Sequence, residues 1–143
     1  MDSLTTKAQV VFAKDLYATQ STHVEVASLQ HDPEHRGGRA VCNMEICPEH
    51  LNARGAVMGG ALFTLADLAF AAASNVEQIE SEQPLAWVSL DSNIRYLSPA
   101  TQGRLKAEAE CVKHGRNTCN YRIVVKDEKE RIIATVDTMG MRV

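Results

Sequence analysis

Hydrophobic and polar side chains alternate along the second half of the chain. Between Arg104 and Lys113 the odd positions from 105 to 111 are apolar, and the even positions from 104 to 110 are charged. Because successive side chains of a strand point to opposite faces, this pattern predicts a strand with one buried face. Period-two patterns predict four strands in all, at residues 85–97, 104–113, 117–126 and 131–141. The connections between them are short, so an antiparallel meander is expected.

The first fifty residues combine one helical stripe with two further alternating segments. Residues 3–18 carry five apolar side chains at helical spacing, namely Leu4, Ala8, Val11, Phe12 and Leu16. We therefore predict a short amphipathic helix there, with Ser3 as its cap. Alternation at residues 23–29 and 39–47 predicts two more strands, joined by the polar turn HDPEHRGG.

The central segment 59–75 is apolar on nearly every side of a helix, and its only charged residue is Asp67. The helix is expected to begin at the pair Gly59 and Gly60 and to end near Asn75, where the chain becomes polar. A helix this apolar needs cover from a sheet, because burial stabilises it by roughly 25 cal/mol per Å². The pattern therefore predicts one α+β domain over residues 1–143, with an antiparallel sheet of about six strands wrapped around one long helix.

The number and position of charged residues indicate which partners and which location to expect. The chain has 15 basic and 18 acidic residues, without the broad basic surplus of a nucleic-acid-binding protein. The apolar run at residues 56–73 carries Asp67 near its middle, and a carboxylate costs roughly 2.5–3.5 kcal/mol at a bilayer centre. A buried helix is therefore expected instead of a membrane span. Asp2, Lys7 and Lys14 interrupt the N-terminal segment, so we expect no secretory signal and a cytoplasmic location.

Neither the cysteines nor the histidines have a convincing metal-binding spacing. The cysteines, at positions 42, 47, 111 and 119, mostly lie in predicted strands, where reduced structural thiols are expected. His31 and His35 lie across a turn without further ligands, and Cys47 and His50 supply only two. No metal site is predicted. The chain also lacks the G-x-S-x-G sequence of a serine nucleophile elbow and the glycine-rich phosphate loop.

The glycine pair and Asp67 are the candidates for chemistry. At the start of a helix, the N–H groups of Gly59 and Gly60 lack intrahelical acceptors and suit an anion or an oxyanion. The alternative is that the pair only permits a tight turn or close packing. Asp67 is either a buried carboxylate satisfied by a neighbouring Ser, Tyr or Arg, or a catalytic group.

The distance between these two candidates bears on the number of subunits. Asp67 follows Gly59 by eight residues, which is roughly 12 Å at the 1.5 Å rise per residue of a helix. One chain cannot easily direct both groups at the same atom. If both serve one site, the second group comes from another subunit, so a homodimer is expected.

Three segments carry a family resemblance, which extends from about residue 24 to the end of the chain: NARGAVMGGALFTLADLAFAAASN, WVSLDSNIRYLSPA and KHGRNTCNYRIVVKDEKERIIATV. They resemble the hotdog-fold acyl-CoA thioesterases, in the PaaI-like, phenylacetate-pathway branch of the 4-hydroxybenzoyl-CoA thioesterase superfamily. The resemblance implies a helix wrapped by an antiparallel sheet, paired in dimers that usually form tetramers. It also implies active sites at the dimer interface.

The resemblance also implies roles for four residues. Asp67 would act as general base for water or as nucleophile towards the thioester carbonyl. The Gly59 N–H would polarise the carbonyl oxygen, and Asn52 would orient the substrate or the attacking water. Ser89 matches a position that helps to hold that water, although an ordinary strand serine remains the alternative.

Further residues would bind the substrate. The phosphates of coenzyme A need local positive charge, and the turn formed by Lys113, His114, Gly115, Arg116 and Asn117 is expected to offer it. This turn matches one that meets the nucleotide end of coenzyme A in similar proteins, and Arg suits phosphate. The alternative is a solvated basic turn. Arg95 and Tyr96, just before the turn at Ser98 and Pro99, would line the pantetheine channel, and Met58 and Gly60 are further candidates for binding the substrate. Met58 departs from the family, which commonly has His there, and methionine cannot donate a strong hydrogen bond.

Two functions remain open at this point. The first is hydrolysis of a small, medium-chain or aromatic acyl-CoA, without a cofactor because coenzyme A is part of the substrate. The second is a non-catalytic acyl-CoA-binding module on the same fold, which Met58 makes plausible. A hydratase is a weaker third possibility. Phe63, Phe70 and Trp87 are expected in the core, with an aromatic acyl pocket as the alternative.

Overall fold

The computed structural model describes residues 2–143. These residues contain a sheet of six antiparallel strands and three α-helices. The helices are α1 (Ser3–Phe12), α2 (Gly59–Ser74) and α3 (Val76–Glu80). The strands are β1 (Val24–His31), β2 (Gly38–Glu45), β3 (Trp87–Tyr96), β4 (Arg104–His114), β5 (Thr118–Lys126) and β6 (Ile132–Arg142). The predicted α+β class, with two strands before the long helix and four after it, is confirmed.

The order of strands in the sheet is β1-β2-β4-β5-β6-β3. Strands β4, β5 and β6 form the predicted meander, but β3 pairs with β6 along the register Ser92↔Thr138. The expectation that all four later strands follow one another in the sheet is therefore wrong. The reason is that β2 occupies the other side of β4, with Ala40 opposite Ala109. As a result, β3 is an edge strand.

The helix α2 supplies the centre of the core, and the sheet covers it. Nine of its sixteen residues are buried, including four alanines whose small side chains let the strands approach closely. The strand residues Met44, Leu105 and Ile123 are fully buried. Phe70 and Trp87 are also buried, as the core interpretation predicted.

Asn75 joins the end of α2 to the start of β3. Its side chain is fully buried, and its Nδ2 donates to the carbonyl oxygens of Ala71 at 2.9 Å and Trp87 at 3.2 Å. Its Oδ1 accepts from the N–H groups of Ala86 at 2.9 Å and Trp87 at 3.0 Å. These bonds pair both polar atoms of a buried side chain and tie the last turn of α2 to the start of β3. The predicted helix end near Asn75 is confirmed, whereas the short α3 that follows was not predicted.

The N-terminal helix is shorter than predicted. It is capped by Asp2, whose Oδ1 accepts from the Thr5 N–H at 2.8 Å, so the prediction of Ser3 as cap is wrong. The helix ends at Phe12, and a π-helical turn follows at Tyr17–Ser21. Leu16 has helical spacing from the earlier apolar residues but is 55% exposed, because the chain turns before reaching it. The stripe therefore predicted the helix but not its end.

The cysteines are unpaired over the described chain. Cys42, Cys111 and Cys119 are buried, and Cys47 is half-buried. Burial raises the pKa of the Cys119 thiol to about 11 and also raises that of Cys42, so these thiols stay protonated at neutral pH. Among the helices described in residues 2–143, none has the length and apolar character needed to cross a bilayer.

Candidate active site

Asp67 lies in a groove between α2 and the segment that follows α1. The groove has a volume of about 410 Å³. One wall is formed by residues 15–18, which include Leu16 and Tyr17, and the other by the face of α2 that carries Phe63 and Leu68. Most of these lining side chains are apolar, so the Asp67 carboxylate faces a largely apolar groove.

The surroundings of Asp67 favour a proton-accepting role. In the single chain the side chain reaches solvent, yet burial by the groove walls raises its pKa, and the nearby Asp15 carboxylate raises it further. Neither a hydrogen bond nor an opposite charge from the described residues stabilises its ionised form. The alternative of a carboxylate satisfied by a neighbouring Ser, Tyr or Arg therefore finds no support here. An unpaired carboxylate with a raised pKa is a stronger base than an ordinary aspartate.

Gly59 and Gly60 begin α2, as predicted. The carbonyl of Met58 accepts from the N–H groups of Ala61 at 3.0 Å and Leu62 at 3.2 Å. In contrast, neither glycine N–H has an acceptor within the described residues. Two donors at the positive end of the helix are therefore free to bind an anion or an oxyanion.

The Tyr96 ring lies close against the backbone of Gly59. A Cβ added at Gly59 would lie 2.8 Å from the Tyr96 ring, so only a glycine lets the ring cover the backbone there. At Gly60 an added Cβ would meet open space. The two glycines are therefore not equivalent: the first is in contact with a candidate substrate-binding residue, and the second faces an opening.

Asn52 organises the loop that leads to α2. Its Oδ1 accepts from the N–H groups of Arg54 at 2.9 Å and Ala56 at 3.1 Å. Its own N–H donates to the Ala56 carbonyl at 2.7 Å. The residue is exposed, and with Oδ1 committed to the loop, Nδ2 is the atom available to a ligand.

The other candidates lie at two separate places. Ser89 and Arg95 are exposed on the edge strand β3, where Ser89 lies opposite Gly140. The turn between β4 and β5 exposes Lys113, Arg116 and Asn117. Within that turn Gly115 is half-buried, and its N–H donates to the Thr118 carbonyl at 2.9 Å.

His114 points inward from this turn. Its Nδ1 lies 2.8 Å from the Tyr121 hydroxyl, and its ring makes an edge-on contact with Trp87 at a centroid distance of 4.4 Å. Burial lowers the pKa of the imidazole, and the charge of Arg36 lowers it further. His114 is therefore expected to be neutral near pH 7, which departs from the prediction that it adds positive charge to the turn.

One chain does not bring all candidates to one point. Gly59 lies at the first turn of α2, whereas the β4–β5 turn is tied to the last turn through Tyr121, whose hydroxyl donates to the Ala73 carbonyl at 3.4 Å. Asp67 lies between them, roughly 12 Å along the helix axis from Gly59. The donors, the carboxylate and the basic turn are thus spread along the full length of α2.

The fold and the acid on its central helix are accompanied by a family match in the sequence. A sequence model of the thioesterase superfamily matches residues 54–134, which is more than half of the chain. The chain belongs to the thioesterase superfamily. The matched range begins in the Asn52 loop and extends into β6, so it includes the glycine pair, Asp67 and the basic turn.

Two curated relatives are a putative esterase and a PaaI thioesterase, and the second supports the PaaI-like resemblance. The chain is 40% identical over 102 residues to a putative esterase of Archaeoglobus fulgidus, covering 71% of this chain and 62% of that protein. It is 35% identical over 98 residues to the acyl-coenzyme A thioesterase PaaI of Escherichia coli, covering 68% of this chain and 66% of PaaI. The chain thus spans slightly less than two thirds of each of these two curated relatives.

A solved structure confirms the hotdog fold. The structure of the Escherichia coli PaaI protein superposes on this chain with a TM-score of 0.78 and 28% sequence identity. The match covers 99% of this chain and 96% of the other. The hotdog fold that the resemblance implied is therefore confirmed over nearly the whole chain.

Two parts of the site were not predicted. Asp15 and the residues after it form one wall of the Asp67 groove, although the sequence placed them in a helix packed on the core. Phe12 is the last buried position of that helix, and the charged residues Lys14 and Asp15 follow shortly after it. These charges are the one signal that could have indicated the turn. The contact of Tyr96 with Gly59 was also missed, because 37 positions separate the two residues.

Proposed function

We propose that this chain is an acyl-CoA thioesterase in which Asp67 is the reactive carboxylate. The observation that carries the proposal is the unpaired Asp67 carboxylate, whose pKa is raised in a largely apolar groove. Membership of the thioesterase superfamily supports it, as does 35% identity to an acyl-coenzyme A thioesterase of Escherichia coli. The substrate is a small, medium-chain or aromatic acyl-CoA.

The chemistry has two forms, and both use the same residues. As general base, Asp67 takes a proton from a water that attacks the thioester carbonyl, and the oxyanion is held by the Gly59 N–H. Collapse of that intermediate breaks the C–S bond and returns the proton to the sulfur, giving acid and free thiol. As nucleophile, the Asp67 carboxylate attacks the thioester carbonyl, which forms a mixed anhydride and expels the coenzyme A thiolate, and the thiolate takes a proton from water. Hydrolysis of the anhydride then gives the acid and restores the Asp67 carboxylate. Asn52 Nδ2 and Ser89 would orient the water.

The site is proposed to be shared between two copies of the chain. The separation of Gly59 and Asp67 along α2 requires a second subunit if both act on one carbonyl. The edge strand β3 and the turn after it expose Val88, Leu90 and Leu97 at 45%, 57% and 56%. An apolar edge with unpaired backbone groups invites pairing with another chain. We therefore propose a homodimer that forms through this edge. Light scattering measures this dimer and any further association to a homotetramer.

The basic turn is proposed to bind the phosphates of coenzyme A. We expect Arg116→Ala to raise KM about tenfold while changing kcat little, because it removes a charge-assisted contact remote from the bond that breaks. Arg104→Ala is the matched control, since Arg104 is exposed at the opposite end of β4. Steady-state kinetics with one acyl-CoA measures both variants. An effect on kcat alone would contradict the phosphate role.

A thiol-release assay over short, medium-chain and aromatic acyl-CoAs tests the proposed activity. Phe63, Leu16 and Tyr17 line the groove beside Asp67, so the panel also identifies the acyl group that this groove accepts. Turnover of at least one member that depends on Asp67 supports the proposal. Absence of thiol release across the panel, together with binding of the same acyl-CoAs, would leave the non-catalytic binding module as the function.

That binding module is the second candidate, and Met58 favours it. Met58 caps α2 beside the glycine pair and is 52% exposed, where family members commonly have a histidine. A thioether offers no strong hydrogen bond to a carbonyl oxygen. The remaining donors would be the glycine N–H groups. The variant Met58→His therefore distinguishes the two candidate functions: a weakened enzyme gains hydrolytic activity in this variant, whereas a binding module does not.

The pH dependence of hydrolysis should report the pKa of Asp67. Only the ionised carboxylate accepts a proton, so a raised pKa moves the acid limb of kcat/KM above the pH expected for an ordinary aspartate, about 3.9. Asp15→Asn removes the neighbouring like charge, so the pKa of Asp67 falls and the limb moves to lower pH. Asp137→Asn, exposed on β6, is the control. A limb that stays fixed or moves to higher pH would contradict this coupling.

A further inference from the structure

Three potential metal ligands meet at the end of the sheet where β1 begins and β2 ends. His23 precedes β1, and Cys47 and Glu49 follow β2. The antiparallel pairing of the two strands, with Val24 opposite Met44, brings these separate segments together. The imidazole nitrogen, the thiol sulfur and a carboxylate oxygen all lie within 4.8 Å of one another, and His23 Nε2 is 3.8 Å from Glu49 Oε1.

The buried His50 holds both segments in place. One ring nitrogen, Nε2, lies 2.7 Å from the Thr22 carbonyl oxygen and therefore carries the proton that it donates. The other, Nδ1, then accepts from the Cys47 N–H at 3.1 Å. One imidazole thus links the residue before His23 to the backbone of Cys47 and holds the two segments together. With both nitrogens committed, His50 orients the cluster without belonging to it.

The backbone of His23 is also specialised. Its φ of 63° lies in the left-handed region that residues other than glycine rarely adopt. Such a conformation persists only where surrounding contacts hold it, and it is concentrated at functional sites. Here it accompanies an edge-on contact with the His50 ring at a centroid distance of 5.8 Å. The chain thus accepts backbone strain at the residue that contributes a nitrogen to the cluster.

We propose that His23, Cys47 and Glu49 form a binding site for a borderline-soft divalent cation, with Zn²⁺ as the expected ion. Nitrogen, thiolate sulfur and carboxylate oxygen are the donors that Zn²⁺ uses, at about 2.0–2.3 Å. Tetrahedral geometry at those lengths separates the ligand atoms by roughly 3.3–3.6 Å, so small side-chain rotations close the cluster around an ion. Hard ions such as Mg²⁺ are disfavoured by the thiolate.

The position of the cluster indicates what bound metal would do. Three ligands leave a fourth position, which water fills from the exposed side where His23 and Glu49 lie. The adjoining His50 carbonyl accepts from the Met58 N–H at 2.8 Å, directly before the glycine pair. Bound metal would therefore fix the beginning of the segment from Cys47 to Met58, whose other end is already tied to His50, and this segment contains the Asn52 loop. The site stabilises this loop and does not depend on any reaction at Asp67.

Cobalt substitution tests the proposal by its optical spectrum. The whole protein, freed of metal and kept reduced, is titrated with Co²⁺, because a thiolate ligand gives a charge-transfer band and tetrahedral coordination gives intense visible bands. We expect both bands to saturate at one equivalent per chain and to be abolished by competing Zn²⁺. In Cys47→Ser the charge-transfer band should be lost. His23→Ala and Glu49→Gln should each weaken binding at least tenfold.

The chain contains a matched control for these variants. His31 forms a similar exposed pair with Glu80, with His31 Nε2 3.0 Å from Glu80 Oε2, and no cysteine of the described chain joins it in a cluster. His31→Ala should leave the cobalt spectrum unchanged. The proposal is overturned if no charge-transfer band forms, or if the band persists in Cys47→Ser. It is also overturned if His31→Ala weakens binding as much as His23→Ala does. Circular dichroism of each variant confirms that the chain is folded.

Discussion

Replacing Asp67 with asparagine is expected to lower kcat/KM for acyl-CoA hydrolysis by about 10²–10⁴-fold. A general base contributes a factor of this size, and the amide can neither accept the water proton nor attack as a nucleophile. Size and shape are conserved, so binding of the acyl-CoA should change little. A thiol-release assay measures turnover, and calorimetric titration with a non-hydrolysable thioether analogue measures binding.

The same variant should be at least as stable as the parent. Because the folded pKa of Asp67 is raised, the ionised carboxylate costs stability above that pKa, and the cost disappears as the pH falls below the unfolded value. The asparagine side chain of the variant carries no charge, so its Tm at pH 7 should equal or exceed that of the parent. Asp137→Asn is the control for both assays. Full turnover in Asp67→Asn would eliminate the catalytic proposal.

Gly59→Ala is expected to lower kcat/KM about 10–100-fold without unfolding the chain. The added methyl group would collide with the far end of the Tyr96 side chain, which is 54% exposed and free to move away. The fold is therefore kept, but the ring no longer covers the backbone, and the methyl group crowds the N–H. Complete loss of one oxyanion donor lowers kcat by about 10²–10³-fold, and the loss expected for Gly59→Ala is smaller because its N–H is kept.

Gly60→Ala is the comparison for this effect. It lies one position further along the same helix, and an added Cβ meets nothing within 4 Å. We expect a smaller loss of activity and a small gain in stability, since alanine favours the helix over glycine. Thermal unfolding and steady-state kinetics of the two variants are measured side by side. Equal losses in both would contradict the special role of the Gly59–Tyr96 contact.

Much of the fold follows from side-chain periodicity. Strand β4 was predicted at 104–113 and spans Arg104–His114, because charged and apolar residues alternate from Arg104 to Cys111. Helix α2 was predicted from an apolar run bounded by a glycine pair and Asn75, and both ends are confirmed. In each case the local pattern and the tertiary environment favour the same structure.

The errors arise where distant contacts decide the outcome. Periodicity does not specify which strands are neighbours, so the pairing of β3 with β6 could not be derived from it. The apolar stripe continues to Leu16, although the helix ends at Phe12. Leu16 lines the Asp67 groove instead, so a residue counted as core contributes to the candidate site.

The candidate site was predictable in its chemistry but not in its geometry. A single carboxylate in an apolar helix identifies Asp67, and a glycine pair at a helix start identifies Gly59. By contrast, the inward orientation of His114 depends on Tyr121 and Trp87, which belong to other strands. The His23 cluster joins residues 24 positions apart, and only the pairing of two strands reveals it.

The contact between Trp87 and His114 gives the chain a built-in optical probe. Trp87 is the only tryptophan of the sequence, and its buried indole lies against the imidazole of the β4–β5 turn. Indole emission responds to the polarity and protonation of adjacent groups, so a ligand that shifts His114 would change the emission without any label. If the β4–β5 turn binds coenzyme A as proposed, a stopped-flow experiment on the unmodified protein would separate the arrival of the nucleotide end from the later breaking of the thioester.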